Sequence, residues 1–274
     1  MSSMSRGTTT RPKAQWTGER GKLRVVTEVV YCGAFYALYT AIRNSQGSNR
    51  GSRQQAFTNA KRVIRWEKAL AMYVERPVQE AFLGAKGLLQ VLNTWYGTAH
   101  FLVTFAAFAW CFVRRPDRYR HVRNSIGAMT ALALFGFAFF PLMPPRLLPT
   151  SYGFVDSLRT FGGPWSFDSG AVARVSNQYA AMPSLHFGWS TWCSYTLWPW
   201  TASTRSVWQR RLRMGLLIVY PLTTLFTIVV TANHYVLDAA GGLAVFLVGI
   251  YVGKWIDRAA VIDRMRLRSP IDPE

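Results

Sequence analysis

Gln178-Tyr179-Ala180-Ala181-Met182-Pro183-Ser184-Leu185-His186 leads directly into an apolar, tryptophan-rich stretch that runs to Trp200. A proline, a serine and a histidine therefore stand at the mouth of a hydrophobic helix. Ionisable and polar side chains are costly inside a bilayer, so a histidine at that depth points to function. A counterpart follows about fifty residues on, Asn233-His234-Tyr235-Val236-Leu237-Asp238, again where an apolar helix should begin. Two such stretches on one membrane face would build one site.

The rest of the chain supports the membrane reading. The 274 residues are 50% hydrophobic and 15% aromatic, and the apolar ones fall in blocks long enough to cross a bilayer as helices. The net charge is +19, but the basic residues lie between the blocks. That is the pattern of the positive-inside rule and of anionic headgroups, and it argues against nucleic acid as a partner. Cys32, Cys111 and Cys193 fall inside proposed spans without ligand or disulfide spacing, and read as packing residues. No small-residue cleavage site follows the first apolar run, which reads as an anchor and not as a signal peptide.

The expected architecture is all-α, a polytopic bundle of six transmembrane helices with an extra amphipathic helix at the interface. Residues 1–24 read as a basic, mobile segment, 25–94 as the first span plus the amphipathic helix, 95–256 as the catalytic bundle and 257–274 as a charged tail. The spans are expected at Val25–Ile42, Trp95–Val113, Ile126–Phe140, Pro183–Trp200, Met214–Val230 and Tyr235–Trp255. Between Ala56 and Leu92, Phe57, Val63, Ile64, Leu70, Tyr73 and Val74 recur at helical spacing among basic residues, which predicts a helix lying on the membrane surface and broken or restarted at Pro77. Arg114–Arg123 reads as a short basic turn, and Leu142–Ala181 as a long, packed, functional loop. The turn at 114–123 carries five arginines, and that at 201–213 carries four. Both fall on the side of the two termini, which makes that side cytoplasmic and the cell membrane the location. His186, His234, Asp238 and Arg146 then share the extracytoplasmic side.

His234 and Asp238 are spaced i, i+4 and share a helix face. The carboxylate can accept the Nδ1 proton, which leaves Nε2 as a nucleophile or base. His186, from another helix, can protonate a leaving-group oxygen. Pro183 and Ser184 sit where free N–H groups and the helix dipole favour an anion, although capping alone would also explain Ser184. Arg146 can neutralise phosphate charge. Gln178, Ser184, Asn233 and Tyr235 join it as candidate substrate- or phosphate-binding residues. Together these describe phosphoryl transfer through a phosphohistidine, with no metal or cofactor.

Met182-Pro183-Ser184-Leu185-His186 and His234-x-x-x-Asp238 resemble the second and third motifs of the type 2 phosphatidic acid phosphatase (PAP2) superfamily. The Pro-Ser-Leu-His form, the upstream Phe140-Pro141-Leu142-Met143-Pro144-Pro145-Arg146 and the His-Tyr opening of the third motif are similar to the inositolphosphotransferase branch, which includes inositol phosphorylceramide synthase. The resemblance covers about Trp95–Trp255. It implies a six-helix bundle with His234 as nucleophile, Asp238 as its orienter and His186 as general acid. Two features depart from the pattern. Ile228 stands where the third motif usually has arginine, and Lys68 to Arg76-Pro77 has seven intervening residues where the first motif has six. Arg146, Arg159 and Arg174 are the candidate replacement cations.

The expected function is a membrane lipid phosphotransferase or phosphatase acting at the extracytoplasmic face. The lipid is phosphatidylinositol, phosphatidic acid or a polyprenyl (pyro)phosphate, and the acceptor is water or an alcohol. Two readings of other classes compete. In one, His100, His186 and His234 bind haem or a metal without catalysis. In the other, the polar cluster only joins helices in a silent lipid carrier. His121 reads as interfacial, and His100 either lines the cavity or satisfies a backbone carbonyl.

Overall fold

The computed structural model describes residues 25–31, 33–34, 36–37, 40, 50–162 and 178–266. Only part of the expected first span is therefore described, and those residues are helical and mostly exposed. They belong to one unit, and everything below concerns the other. The basic segment 1–24, Cys32, Arg174 and the end of the charged tail lie outside the described residues.

The second unit comprises α1 (Arg50–Ala69), α2 (Glu75–Phe82), α3 (Lys86–Arg114), α4 (Pro116–Phe139), α5 (Ser157–Phe161), α6 (Leu185–Thr201), α7 (Val207–Val230) and α8 (Val236–Arg266). Two 3-10 turns, Pro145–Leu147 and Thr150–Tyr152, shape the connection before α5. No strand occurs among the described residues, and an isolated bridge pairs Leu142 with Ala180. The fold is all-α.

Among the described residues, four helices are long and apolar enough to cross a membrane: α3, α4, α7 and, within α8, Val236–Ala259. The expected fourth span is α6, whose 17 residues reach about 26 Å at the usual rise per residue. The six-span count thus rests on α6 and on the partly described first segment. The helices also begin earlier than hydropathy implies. The predicted basic turn shrinks to Arg115, because Pro116 opens α4 at its N-terminus and Arg118–Arg123 form its first turns. Similarly, α3 starts at Lys86 and α7 at Val207, where Ser206 accepts the Gln209 N–H as an N-cap. Polar first turns extend these helices beyond their apolar stretches.

The amphipathic segment is α1, but protein covers its apolar stripe. Ala56, Ala60, Val63 and Ile64 are buried in one cluster with Leu142, Met143 and Tyr235. The chain breaks at Leu70–Val74, where Ala71 adopts a left-handed φ of 55°, and Pro77 lies in the first turn of α2, where the helix restarts.

Helix packing relies on small residues, as expected where lipid removes the hydrophobic drive between helices. A Cβ on Gly249 would lie 2.7 Å from the Ser125 carbonyl oxygen of α4, and one on Gly253 would lie 2.8 Å from its nitrogen. A Cβ on Gly242 would overlap the Ser184 carbonyl at the start of α6. Trp192, fully buried, donates its indole N–H to Val122 O and Ser125 Oγ, tying α6 to α4. The helices alternate in direction, so the starts of α3, α6 and α8 and the ends of α4 and α7 meet at one end. The connection carrying α5 folds over that end: Asn93 of α3 donates to Ser157 O and Gly162 O, and Ser157 Oγ donates to Thr231 O beyond α7.

Candidate active site

The turn between α7 and α8 builds the first half of the site. Ala232 adopts φ 53°, a left-handed conformation that lets the chain reverse within a few residues. The N–H groups of Asn233 and His234 then both reach the Ile228 carbonyl, and α8 starts at Val236. Four residues separate His234 from Asp238, and the i, i+4 geometry closes as expected: His234 Nδ1 lies 3.2 Å from Asp238 Oδ2. The same oxygen accepts the Tyr235 N–H at 3.0 Å. Asp238 is fully buried and His234 is 3% exposed. His234 Nε2 is also buried and has no hydrogen-bond partner.

The second half comes from α6. Ser184 caps it, accepting the Phe187 N–H at 3.4 Å, while its own N–H donates to Asp238 O at 2.8 Å. This backbone bond ties the start of α6 to α8 and brings His186 to His234, with ring centroids 5.6 Å apart. His186 stacks on Tyr96 of α3 at 4.0 Å, and the edge of His100 meets it at 4.3 Å. His100 Nδ1 lies 3.0 Å from the Tyr96 carbonyl, and its ring packs against that of His186. Tyr96 is a site residue that hydropathy hides, since it reads only as an interfacial aromatic.

The remaining predicted residues divide. Arg146 reaches the site, but two of its guanidinium nitrogens are engaged. Nε donates to Asn233 Oδ1 at 2.9 Å and Nη1 to Asp156 Oδ2 at 3.0 Å. Its backbone N–H donates to Ala232 O, so Arg146 also pins the α7–α8 turn. Asn233 is buried and donates to Thr231 Oγ1. Tyr235 belongs to the core, fully buried with its hydroxyl on Met143 O. Gln178 is half-buried in the turn before Ala180. Arg159 is exposed at the surface of α5.

Two further residues of the site region escaped the sequence reading. Glu67 of α1 and Glu75 of α2 are fully buried. Glu67 Oε1 accepts the Leu237 N–H and Glu75 Oε1 the Val236 N–H, both at 2.8 Å. They cap the first turn of α8 from across the molecule. Burial, with the Glu75 carboxylate beside it, pushes the Glu67 carboxyl up to about 9, and burial raises Glu75 as well. A signal existed in the sequence: Glu67 extends the stripe of Ala60, Val63 and Ile64 at helical spacing, an acid on the apolar face.

Among the described residues, no three His, Cys, Asp or Glu side chains are grouped to hold a metal ion. Neither the curated proteins nor the solved structures contain a match. The family model of the PAP2 superfamily matches residues 61–252, well over half of the 274 residues. The match takes in α2 and the second half of α1, upstream of the stretch from Trp95 on which the motifs lie. Members of this superfamily are generally phosphatases, and membership together with the four apolar helices suggests a lipid-phosphate substrate at a membrane. The chain belongs to the PAP2 superfamily.

Proposed function

We propose that this protein is a membrane enzyme that transfers a phosphoryl or phosphodiester group from a lipid through a phosphohistidine at His234. One observation carries the reading: a buried imidazole has Nδ1 against a carboxylate at 3.2 Å and leaves Nε2 buried without a partner. A carboxylate that accepts the Nδ1 proton fixes the tautomer with its lone pair at Nε2 and favours the positive charge that develops on attack.

Nε2 attacks phosphorus and forms a P–N bond while the P–O bond to the leaving alcohol breaks. His186 gives its proton to that oxygen. Water or a second alcohol then attacks the phosphorus, His186 takes its proton, and the P–N bond breaks to restore His234. Nε2 is covered in this conformation, so the phosphate displaces what covers it on binding. Arg146 meets the phosphate with the guanidinium nitrogen that Asn233 and Asp156 leave over, and the N-terminus of α6 beyond Ser184 faces the same anion. The basic ends of the helices opposite the site favour an extracytoplasmic active site under the positive-inside rule. With α6 and the first apolar segment, the chain crosses the membrane six times.

Pro-Ser-Leu-His and the upstream Pro-Pro-Arg146 favour the inositolphosphotransferase branch, with phosphatidylinositol as donor; phosphatidic acid or a polyprenyl pyrophosphate as substrate would make the protein a phosphatase. Purified protein in detergent is offered each lipid, with and without a lipid alcohol. Inositol phosphate released or transferred, and absent with His234→Ala, supports the branch. Free phosphate lost in the same variant identifies a phosphatase. No His234-dependent product from any of the lipids contradicts the proposal.

A further inference from the structure

We propose that Glu67 and Glu75 form a carboxylic acid–carboxylate pair that shares one proton and clamps the first turn of α8 against α1 and α2. The function of this clamp, holding His234 and Asp238 in place, rests on the reading above; the existence of the pair does not.

The geometry carries it. Each carboxyl uses Oε1 to accept a backbone N–H of α8, from Leu237 or Val236. Each leaves Oε2 buried with no partner if both are ionised. The two N–H groups they accept from belong to adjacent residues, Val236 and Leu237, each at 2.8 Å, so the two carboxyls lie side by side. One proton between them supplies the missing donor and removes one of two like charges from a site with no access to water. Among the described residues, no ion pair with a cation neutralises them. The neighbouring Lys68 lies over the Tyr73 ring, and Arg76 is paired with Glu80 on the surface. The other titratable groups facing the pair are Asp238 and Tyr235 at the start of α8 and Tyr73 between α1 and α2. None of these is basic, and Asp238 adds a further negative charge. The capping contacts stand within one turn of the catalytic candidates: Leu237 precedes Asp238, and Val236 follows Tyr235, whose N–H binds the Asp238 carboxylate.

The sign of the pH dependence follows. A carboxyl whose folded value is raised binds its proton in the folded chain over a range where the unfolded chain has lost it. Its stabilisation is complete below the ordinary carboxylate value of 4.5 and declines as pH rises to about 9. Glu67→Gln mimics the neutral acid without titrating: its amide oxygen accepts the Leu237 N–H and its NH2 donates to Glu75.

The test is thermal unfolding of the full chain, purified in detergent, at pH 5 and pH 9, for wild type, Glu67→Gln and Glu75→Gln. The wild type should lose at least about 4 °C more than Glu67→Gln between the two pH values. Parallel curves for wild type and both variants would overturn the shared proton, as would a Glu67→Gln protein that fails to fold at pH 5. The clamp has its own readout. Glu67→Leu should lower kcat about 100-fold with little change in KM, and Glu67→Gln should stay within about threefold of wild type. Full kcat in folded Glu67→Leu would refute the clamp. If wild type turns over none of the lipids, the proposed function fails, and the melting comparison still decides the pair.

Discussion

The two ends of the helix bundle treat polar residues in opposite ways. At the site end, Glu67, Glu75, Asn93, Ser157, Asn233, His234 and Asp238 are all buried, and all meet where helices start or stop. At the other end, Arg115 pairs with Asp117, Arg120 with Asp257, and Arg213 reaches Trp200 O, all with side chains partly exposed. A buried polar group without its partner costs a full desolvation penalty, whereas an exposed ion pair is close to neutral. Under the proposed function, the arginine end sets orientation by the positive-inside rule and the site end carries the chemistry.

Substitutions should separate the ends sharply. The largest effect is expected at Asp238. Asp238→Asn can still accept the Tyr235 N–H but cannot hold the charge that develops on His234, and kcat should fall about 10⁴-fold. Steady-state kinetics on whichever lipid is turned over checks this; a loss below tenfold would put the chemistry elsewhere. Next comes packing. Gly249→Val drives side-chain atoms into the Ser125 backbone, and should cost about 3 kcal/mol or prevent folding. Fluorescence-detected melting measures it, and a melting point equal to wild type would mean that α4 and α8 are not so closely apposed.

Asn93→Ala removes the donor to Ser157 O and Gly162 O under α5, and a loss of about 1–3 kcal/mol should appear in the same assay. The smallest effect belongs to the arginine end. Arg115→Ala breaks an exposed pair, and both stability and kcat should stay within about 0.5 kcal/mol of wild type. A large loss there would blur the contrast between the ends.

What the sequence reveals of this site is local. His234 and Asp238 are one helical turn apart, and Ser184 caps the helix that carries His186, so spacing alone predicts both contacts. Helix ends were less legible, because the polar first turns of α3, α4 and α7 look like loops to a hydropathy reading. The partners supplied from far away were not legible at all. Glu67 reaches Leu237 across 170 residues, and Asp156 engages an arginine that reads from sequence as a free phosphate clamp. The apolar stripe of α1 marks Glu67 as buried, but what it caps shows only in the fold.

The most direct test of the central claim is to trap the covalent intermediate. Purified protein is mixed with lipid labelled on the transferred phosphorus, quenched in alkali within the first turnover, and digested to locate the label. The expected result is an alkali-stable, acid-labile label on the peptide containing His234, absent from His234→Ala and accumulating when His186→Ala slows the second step. Turnover of the lipid with no label on His234, or equal turnover by His234→Ala, would contradict it.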